Sequence, residues 1–116
     1  MMTIIEFPTF SSQVGNIIKT SERDELIDFL AKRLDAGEEI PGMGGIRKLR
    51  WGGMGKGKRG GLRVIYYFCN ETAPVFLLTI YSKAVQEDLS SEQKKKLVAF
   101  AKLLKAECKN RGGNHD

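Results

Sequence analysis

Residues 62–69 read LRVIYYFC and residues 75–81 read VFLLTIY, with the segment NETAP at 70–74 between them. Both stretches are rich in the β-branched and aromatic residues that favour strands, and Asn and Pro in the connecting segment favour a turn. Apolar residues occupy neighbouring positions in both stretches, so each strand presents apolar side chains on its two faces. The sequence therefore predicts two consecutive antiparallel strands in the middle of a sheet.

The segments before this pair predict a short strand, two helices and a further strand. Residues 3–7 form an apolar run that Pro8 ends, and residues 46–51 form a second run in which cations and apolar residues alternate imperfectly. Between them, apolar residues recur at helical spacing in two segments, the second beginning at an N-cap, Ser21, and ending near Gly37. The apolar residues at this spacing are Phe10, Val14, Ile17 and Ile18 in the first segment, and Leu26, Ile27, Leu30 and Leu34 in the second.

A long helix is predicted after the strands. Ser90 and Gln93 have the spacing of a capping box, residues 97–104 carry the apolar face, and Gly112 marks the end. The predicted order is β-α-α-β-β-β-α. This order favours an α+β domain with a small antiparallel sheet, an N-terminal helical hairpin and a C-terminal helix, with the helices packed on one face.

Length and composition favour one domain over residues 1–116, with a flexible tail at 110–116. No apolar run approaches the 18 residues of a transmembrane helix, and the N-terminus lacks the basic region of a signal peptide. We therefore expect a cytoplasmic protein without membrane association. Cys69 and Cys108 are expected to be reduced and largely buried thiols, and neither has a neighbour at metal-ligand spacing, so no metal or cofactor is predicted.

Charge is distributed very unevenly along the chain. The 31 residues from Ile40 to Asn70 contain seven cations, nine glycines and no carboxylate, whereas the rest of the chain has twelve cations against fourteen carboxylates. The overall charge of +5 therefore comes from this one block. Glycine lets a backbone approach a ligand closely, and Lys and Arg neutralise phosphates, so the block predicts a surface for RNA or DNA.

The centre of this block is the glycine-rich segment GGMGKGKRGG at 52–61. It does not have the spacing of a Walker A loop, and no Lys-Ser or Lys-Thr pair opens a helix after it. Two interpretations remain for the segment: a solvated hairpin loop whose lysines maintain solubility, or a loop that contacts phosphates.

Tyr66 and Tyr67 are adjacent on the strongest strand, so their side chains point to opposite faces and both cannot lie in the core. Either one packs and the other covers the sheet edge, or one provides a stacking surface for a base. Arg63 shares a face with Tyr67, and Lys83 lies two residues beyond Tyr81. The pattern predicts that Arg63, Tyr67, Tyr81 and Lys83 lie near the base of the glycine-rich segment.

Three stretches together resemble the HigB-like branch of the RelE toxin superfamily. They are GGIRKLR at 44–50, GKGKRGGLRVIYYF at 55–68 and LLTIYSK at 77–83. The helical hairpin before them and the helix at 89–104 fit the same pattern, so the resemblance covers nearly the whole chain.

The resemblance implies a small microbial-RNase-like α+β fold and the toxin of a type II toxin–antitoxin system. RelE-like toxins enter the ribosomal A site and cut the mRNA there, which stops translation. A cognate antitoxin protein binds and inhibits the toxin, and the complex often represses its own operon by binding operator DNA. The partners implied are therefore the antitoxin, the ribosome with its mRNA, and operator DNA through the complex.

Cleavage of RNA at a 2′-OH requires a base, charge stabilisation at the phosphate and an acid for the leaving oxygen. His115 is the only histidine, and RelE-like toxins commonly rely on Lys, Arg and Tyr instead. By the resemblance, Lys56 or Lys58 is the base or a phosphate ligand, and Arg63 stabilises the phosphate. The remaining expected roles are stacking or proton donation for Tyr81, phosphate contact for Lys83, and RNA binding for Arg47, Lys48, Arg50, Lys56, Lys58, Arg59 and Tyr67.

Two other functions account for the same residues without catalysis. A non-catalytic module that binds RNA or DNA would use the same cations, glycines and tyrosines but leave RNA intact. An interaction protein could dock an acidic partner on the basic segment, which predicts weak affinity for nucleic acid and salt-sensitive binding to that partner.

Overall fold

A computed structural model describes residues 3–52, 61–70 and 72–113, with side chains through Cys108. The predicted α+β class is confirmed. The strands are β1 (Ile4–Glu6), β2 (Glu38–Glu39), β3 (Arg47–Trp51), β4 (Leu62–Tyr67) and β5 (Val75–Ser82), and the helices are α1 (Pro8–Ile17), α2 (Thr20–Lys32) and α3 (Ser91–Gly113).

The five strands form one mixed sheet in the order β1-β5-β4-β3-β2. Strands β2 to β5 are antiparallel neighbours, as predicted for β3 to β5, but β1 pairs in parallel with β5. The prediction of an antiparallel sheet is therefore wrong. A three-residue strand is too short for its own sequence to indicate which strand it pairs with. Ile4 pairs with Val75, and these two residues are separated by most of the chain.

Helices cover both faces of this sheet, so the prediction that they pack on one face is also wrong. On one face, α1 and α2 bury Phe10 and Leu26 against Val64 of β4. On the other face, α3 buries Leu97 against Ile65 of β4. The domain thus has three layers, with the sheet between two separate apolar cores.

Tyr66 and Tyr67 are both buried, with 0 % and 2 % of their surfaces exposed. The expectation that only one of them lies in the core is wrong because each points into a different core. Tyr66 also joins the sheet to the segment after α2. Its hydroxyl accepts the N–H of Gly37 at 2.8 Å and donates to the carbonyl of Leu34 at 2.7 Å.

The helix boundaries differ from the prediction at α2 and agree at α3. Helix α2 begins after Lys19, whose backbone N–H donates to the Glu22 carboxylate, so Ser21 is not its N-cap. Gly37 lies beyond the end of α2, where a Cβ would come within 2.8 Å of the Tyr66 ring. The predicted capping box of α3 is confirmed by reciprocal hydrogen bonds between Ser90 and Gln93.

Cys69 and Cys108 form a disulfide, with their Cα atoms 6.6 Å apart. The expectation of two reduced thiols is therefore wrong. Their distance in sequence concealed the pairing, which arises because α3 crosses the sheet and ends beside the residues that follow β4. None of the helices in the described part of the chain is long and apolar enough to cross a lipid bilayer.

Replacing Tyr66 with Phe is expected to destabilise the protein by about 1–3 kcal/mol, because it leaves the Gly37 N–H and the Leu34 carbonyl without their partner. Chemical denaturation measures this loss. The matched control is Tyr67→Phe, which removes a hydroxyl from an equally buried ring on the other face. A loss in Tyr67→Phe as large as that in Tyr66→Phe would contradict the assignment.

Candidate functional site

A cavity of about 520 Å³ opens beside the end of β4 where Leu62 pairs with Trp51 of β3. Its wall is strongly charged. Four cations and three carboxylates line it: Lys48, Arg50, Arg63 and Lys83, and Glu38, Glu39 and Glu87. Because these side chains come from β2, β3, β4 and the region after β5, the cavity exists only in the folded chain.

The sheet register explains why the cations converge. Arg50 of β3, Arg63 of β4 and Tyr81 of β5 are Cα partners and form one row across three strands. Lys48 lies two residues from Arg50 on the same face of the sheet. Strand β5 ends at Ser82, so Lys83 reaches the cavity from the turn that follows it. The sheet register sets the Arg50 and Arg63 cations directly opposite each other on one face of the sheet.

Arg63 is the one charged residue that is buried in the described part of the chain, with 8 % of its surface exposed. Its guanidinium donates to the carbonyl of Leu62 at 3.2 Å. A guanidinium fixed in this way on a rigid strand loses little freedom when it binds, and its planar donors match two phosphate oxygens. Arg63 is therefore held in place at the cavity wall, where its guanidinium can bind an anion.

Tyr81 lies next to Arg63 in the row and is 6 % exposed, with its ring in the core under α3. Its hydroxyl has no hydrogen-bond partner among the described residues. Burial raises the pKa of Tyr81 above its ordinary value of 10.0, the Asp88 carboxylate raises this pKa further, and the Arg63 cation acts in the opposite direction. At neutral pH the hydroxyl is therefore protonated and can donate a proton, whereas its packed ring has no face open for stacking.

Asp88 forms ion pairs with two lysines, Lys48 and Lys94. Its carboxylate lies 3.8 Å from the Lys48 ammonium and 3.6 Å from the Lys94 ammonium, and it accepts the Leu89 N–H at 2.7 Å. The Leu89 hydrogen bond is the main cause that lowers the pKa of Asp88 from 3.8, and the two lysines contribute in the same direction. Asp88 is thus ionised at neutral pH and restrains Lys48 beside the cavity.

Arg47 does not join this site, although the sequence grouped it with Lys48 and Arg50. Its guanidinium donates to the carbonyl of Gly37 at 2.6 Å, lies 3.5 Å from the Glu39 carboxylate and sits over the Phe68 ring at 5.4 Å. These contacts give Arg47 a structural part in holding β2 and β3 together.

Tyr67 also lies away from Arg63. It is on the same face of β4 but at the other end of the strand, where a Cβ on Gly45 would come within 3.2 Å of its ring. It lines a second, larger cavity of about 1010 Å³ with Arg47 and Lys105. Of the four residues expected near the base of the glycine-rich segment, the structure therefore brings together Arg63, Tyr81 and Lys83.

Three predicted site residues, Lys56, Lys58 and Arg59, lie outside the described residues. The described residues on either side, Gly52 and Gly61, are at the cavity end of the β3–β4 hairpin. The carbonyl of Gly61 accepts the Lys83 N–H at 2.8 Å, which connects this end of β4 to the region after β5.

Sequence reasoning missed the carboxylates of the site. It treated the basic block as uncompensated, but Glu39 pairs with Arg47 and Asp88 pairs with Lys48. Both carboxylates come from outside the block and reach it only through the fold. The position of Glu38 and Glu39 just before the block was an available signal, because a chain that turns back on itself places such residues beside the following strand.

The arrangement can bind a phosphate through Arg63, Arg50 and Lys83, and it has groups of both types for proton transfer. The Glu38 and Glu87 carboxylates can accept a proton, and the Tyr81 hydroxyl can donate one. Among residues 3–52, 61–70 and 72–108, no group of three His, Cys, Asp or Glu side chains could hold a metal ion. No known protein-family model matches the chain.

Replacing Tyr81 with Phe is expected to leave the stability unchanged or to increase it by about 1 kcal/mol, since the buried hydroxyl has no partner in the described structure. This is the reverse of the effect expected for Tyr66→Phe. Denaturation midpoints of the two variants, measured side by side, test the contrast. A loss above about 1 kcal/mol in Tyr81→Phe would show that its hydroxyl has a structural partner.

All three tyrosines are expected to titrate above 10.0 in the folded protein, because burial raises the pKa of Tyr66, Tyr67 and Tyr81. A pKa that is higher in the folded than in the unfolded chain stabilises the fold below pH 10, and this contribution is lost as the pH rises through the folded value. Tyrosinate absorbance of the native protein, compared with the protein in denaturant, measures the shift. A native tyrosine that titrates below 10.0 would contradict the burial.

Proposed function

We propose that this protein is the toxin of a type II toxin–antitoxin system and a ribosome-dependent mRNA endonuclease of the RelE-like type. The observation that carries the proposal is the buried residue Arg63 at the wall of a cavity that Arg50, Lys48 and Lys83 line together with three carboxylates. The sequence resemblance supplies the reaction class. The cavity supplies a physical reason for it, because a phosphodiester is the anion that such a cluster would hold along an RNA strand.

The reaction proposed is attack of a ribose 2′-oxygen on the adjacent phosphorus. A bond forms between the 2′-oxygen and phosphorus, and the bond from phosphorus to the 5′-oxygen of the next nucleotide breaks. The 2′-proton passes to a base and the 5′-oxygen takes a proton from an acid. The products are a 2′,3′-cyclic phosphate and a free 5′-hydroxyl, so no metal or cofactor is required.

Arg63 is the proposed stabiliser of the transition state. Negative charge accumulates on the non-bridging phosphate oxygens as the phosphorus becomes pentacoordinate, and a fixed guanidinium stabilises that charge without reorganising. Arg50 and Lys83 add positive charge on either side of it and position the neighbouring phosphates. Asp88 limits the movement of Lys48 through their 3.8 Å ion pair.

Tyr81 is the proposed acid, because it is the strand neighbour of Arg63 and its hydroxyl is protonated at neutral pH. The hydroxyl is buried in this conformation. Proton donation therefore requires Tyr81 to rotate, or the residues packed over its hydroxyl to move, when RNA binds. The proposed base is Lys56 or Lys58, from the resemblance, or one of the cavity carboxylates Glu38 and Glu87.

The proposed setting follows from the same resemblance. The protein would act in the cytoplasm on mRNA in the ribosomal A site, and a cognate antitoxin would neutralise it. Operator DNA would be bound through the antitoxin complex. The ribosome could complete a site that holds few acid–base groups of its own.

Arg63→Ala is expected to reduce mRNA cleavage on ribosomes by about 100-fold or more, since the loss of one preorganised donor to a developing anion costs that much. The measurement is primer extension on one mRNA, either free or on ribosomes programmed with a defined A-site codon. Cuts confined to the ribosomal sample and lost in Arg63→Ala would support the proposal.

The matched control is Arg33→Ala, which removes an exposed arginine at the end of α2, outside the cavity. It should cut like the unmodified protein. Thermal unfolding of both variants checks that each is folded. Intact mRNA in every sample, with salt-sensitive RNA binding retained, would replace the endonuclease with a non-catalytic nucleic-acid-binding module. Full cleavage by folded Arg63→Ala protein would remove Arg63 from the site.

A further inference from the structure

The disulfide joins the end of the central strand to the last part of α3. Cys69 is two residues beyond β4, and Cys108 lies in the C-terminal part of the helix, 39 residues later. It is therefore at the opposite end of β4 from Arg63. None of the residues assigned to the candidate RNA site is a cysteine or contacts one through a described hydrogen bond or ion pair.

The disulfide attaches a part of α3 that has little apolar contact with the sheet. Ala101 is 2 % exposed and Leu104 packs against the same core, but the following residues Lys105, Ala106 and Glu107 are all exposed. Beyond Leu104, the helix continues to Gly113. The covalent bond at Cys108 thus follows three consecutive exposed residues of the helix.

A reductant can reach this bond from solvent. Both cysteines are only partly buried, and both line the open cavity of about 1010 Å³.

We infer that Cys69–Cys108 is a reversible redox site whose substrate is a dithiol reductant of the thioredoxin class. A thiolate of the reductant attacks one cysteine sulfur, a mixed disulfide forms, and the other cysteine leaves as a thiolate that takes up a proton. The second thiol of the reductant then attacks the mixed disulfide. Two electrons and two protons pass to Cys69 and Cys108, and the reductant becomes a disulfide.

Reduction has a local and a global consequence. Locally, the part of α3 beyond Leu104 loses its covalent attachment and frays. Globally, opening a 39-residue loop lowers the ratio of folded to unfolded chain by roughly several hundred-fold, from loop-closure entropy. The inference does not depend on the proposed function, although a cytoplasmic location would place this bond in a compartment that reduces accessible disulfides.

The test uses the full chain in native buffer at neutral pH, with dithiothreitol as the first probe and a thioredoxin with its reductase as the second. Alkylation followed by mass measurement counts free thiols, and hydrogen exchange reports each part of α3. We expect two alkylated thiols without denaturant and at least ten-fold faster exchange in 105–113. Exchange in 91–101, which requires opening of the whole domain, should rise by no more than the roughly several hundred-fold loss from loop closure, and an oxidant should restore the starting state.

Three results would overturn the inference. The first is a disulfide that both reductants leave intact until denaturant is added. The second is reduction by dithiothreitol alone, which would exclude a thioredoxin-class substrate. The third is unchanged exchange in 105–113 after full reduction.

The double variant Cys69→Ser with Cys108→Ser checks the structural part separately. It should exchange like the reduced protein whatever reductant is present. RNA cleavage is not used as a readout, so failure of this proposal and failure of the proposed endonuclease can be told apart.

Discussion

Burial of β4 on both faces is the constraint on which the rest of the structure depends. Val64 and Tyr66 point into the core under α1 and α2, while Ile65 and Tyr67 point into the core under α3. Each large apolar side chain contributes about 1.5–3 kcal/mol when it is fully buried. Exposing either face of β4 and its neighbour β5 would therefore cost about as much as the whole stability of a small domain. For this reason helices must lie on both sides of a single sheet.

The candidate site lies at the start of β4, where burial of the strand on both faces ends. Arg63 is the second residue of β4, at the edge of the core under α3, so its chain packs while its guanidinium reaches the cavity. Strand pairing then sets Arg50 and Tyr81 on either side of it. The sheet places two cations opposite each other and buries a hydroxyl that has no described partner. A buried hydroxyl without a partner costs folding free energy, and under the proposed function Tyr81 would use this hydroxyl as the acid.

Local patterns in the sequence predicted the elements well and their long-range arrangement less well. The strands β3 to β5 and the capping box of α3 depend on residues within a few positions of one another, and the structure agrees with them. The parallel pairing of β1 with β5, the packing of α3 on the second face of the sheet and the disulfide each join residues far apart in the chain. For the site, alternation along the strands was enough to put Arg63 and Tyr81 on one face, but β5 ends at Ser82, so Lys83 lies in the turn beyond it. Alternation could not supply Asp88, because nothing near this residue in sequence shows which cation it meets.

Arg63 and the disulfide lie at opposite ends of β4. From Arg63 to Cys69 the chain advances six residues, or about 20 Å in an extended strand. The packing of α3 connects these ends, since Leu97 and Ala101 lie in the same core as Tyr67 and Tyr81. Between Cys108 and that core, α3 contains Leu104 and Ala101, and both pack by apolar contacts. Fraying that begins at Cys108 therefore exposes the core only if it extends beyond both residues. Loosening the helix end therefore leaves the row of Arg50, Arg63 and Tyr81 in place. It affects the site only when it unfolds the whole domain.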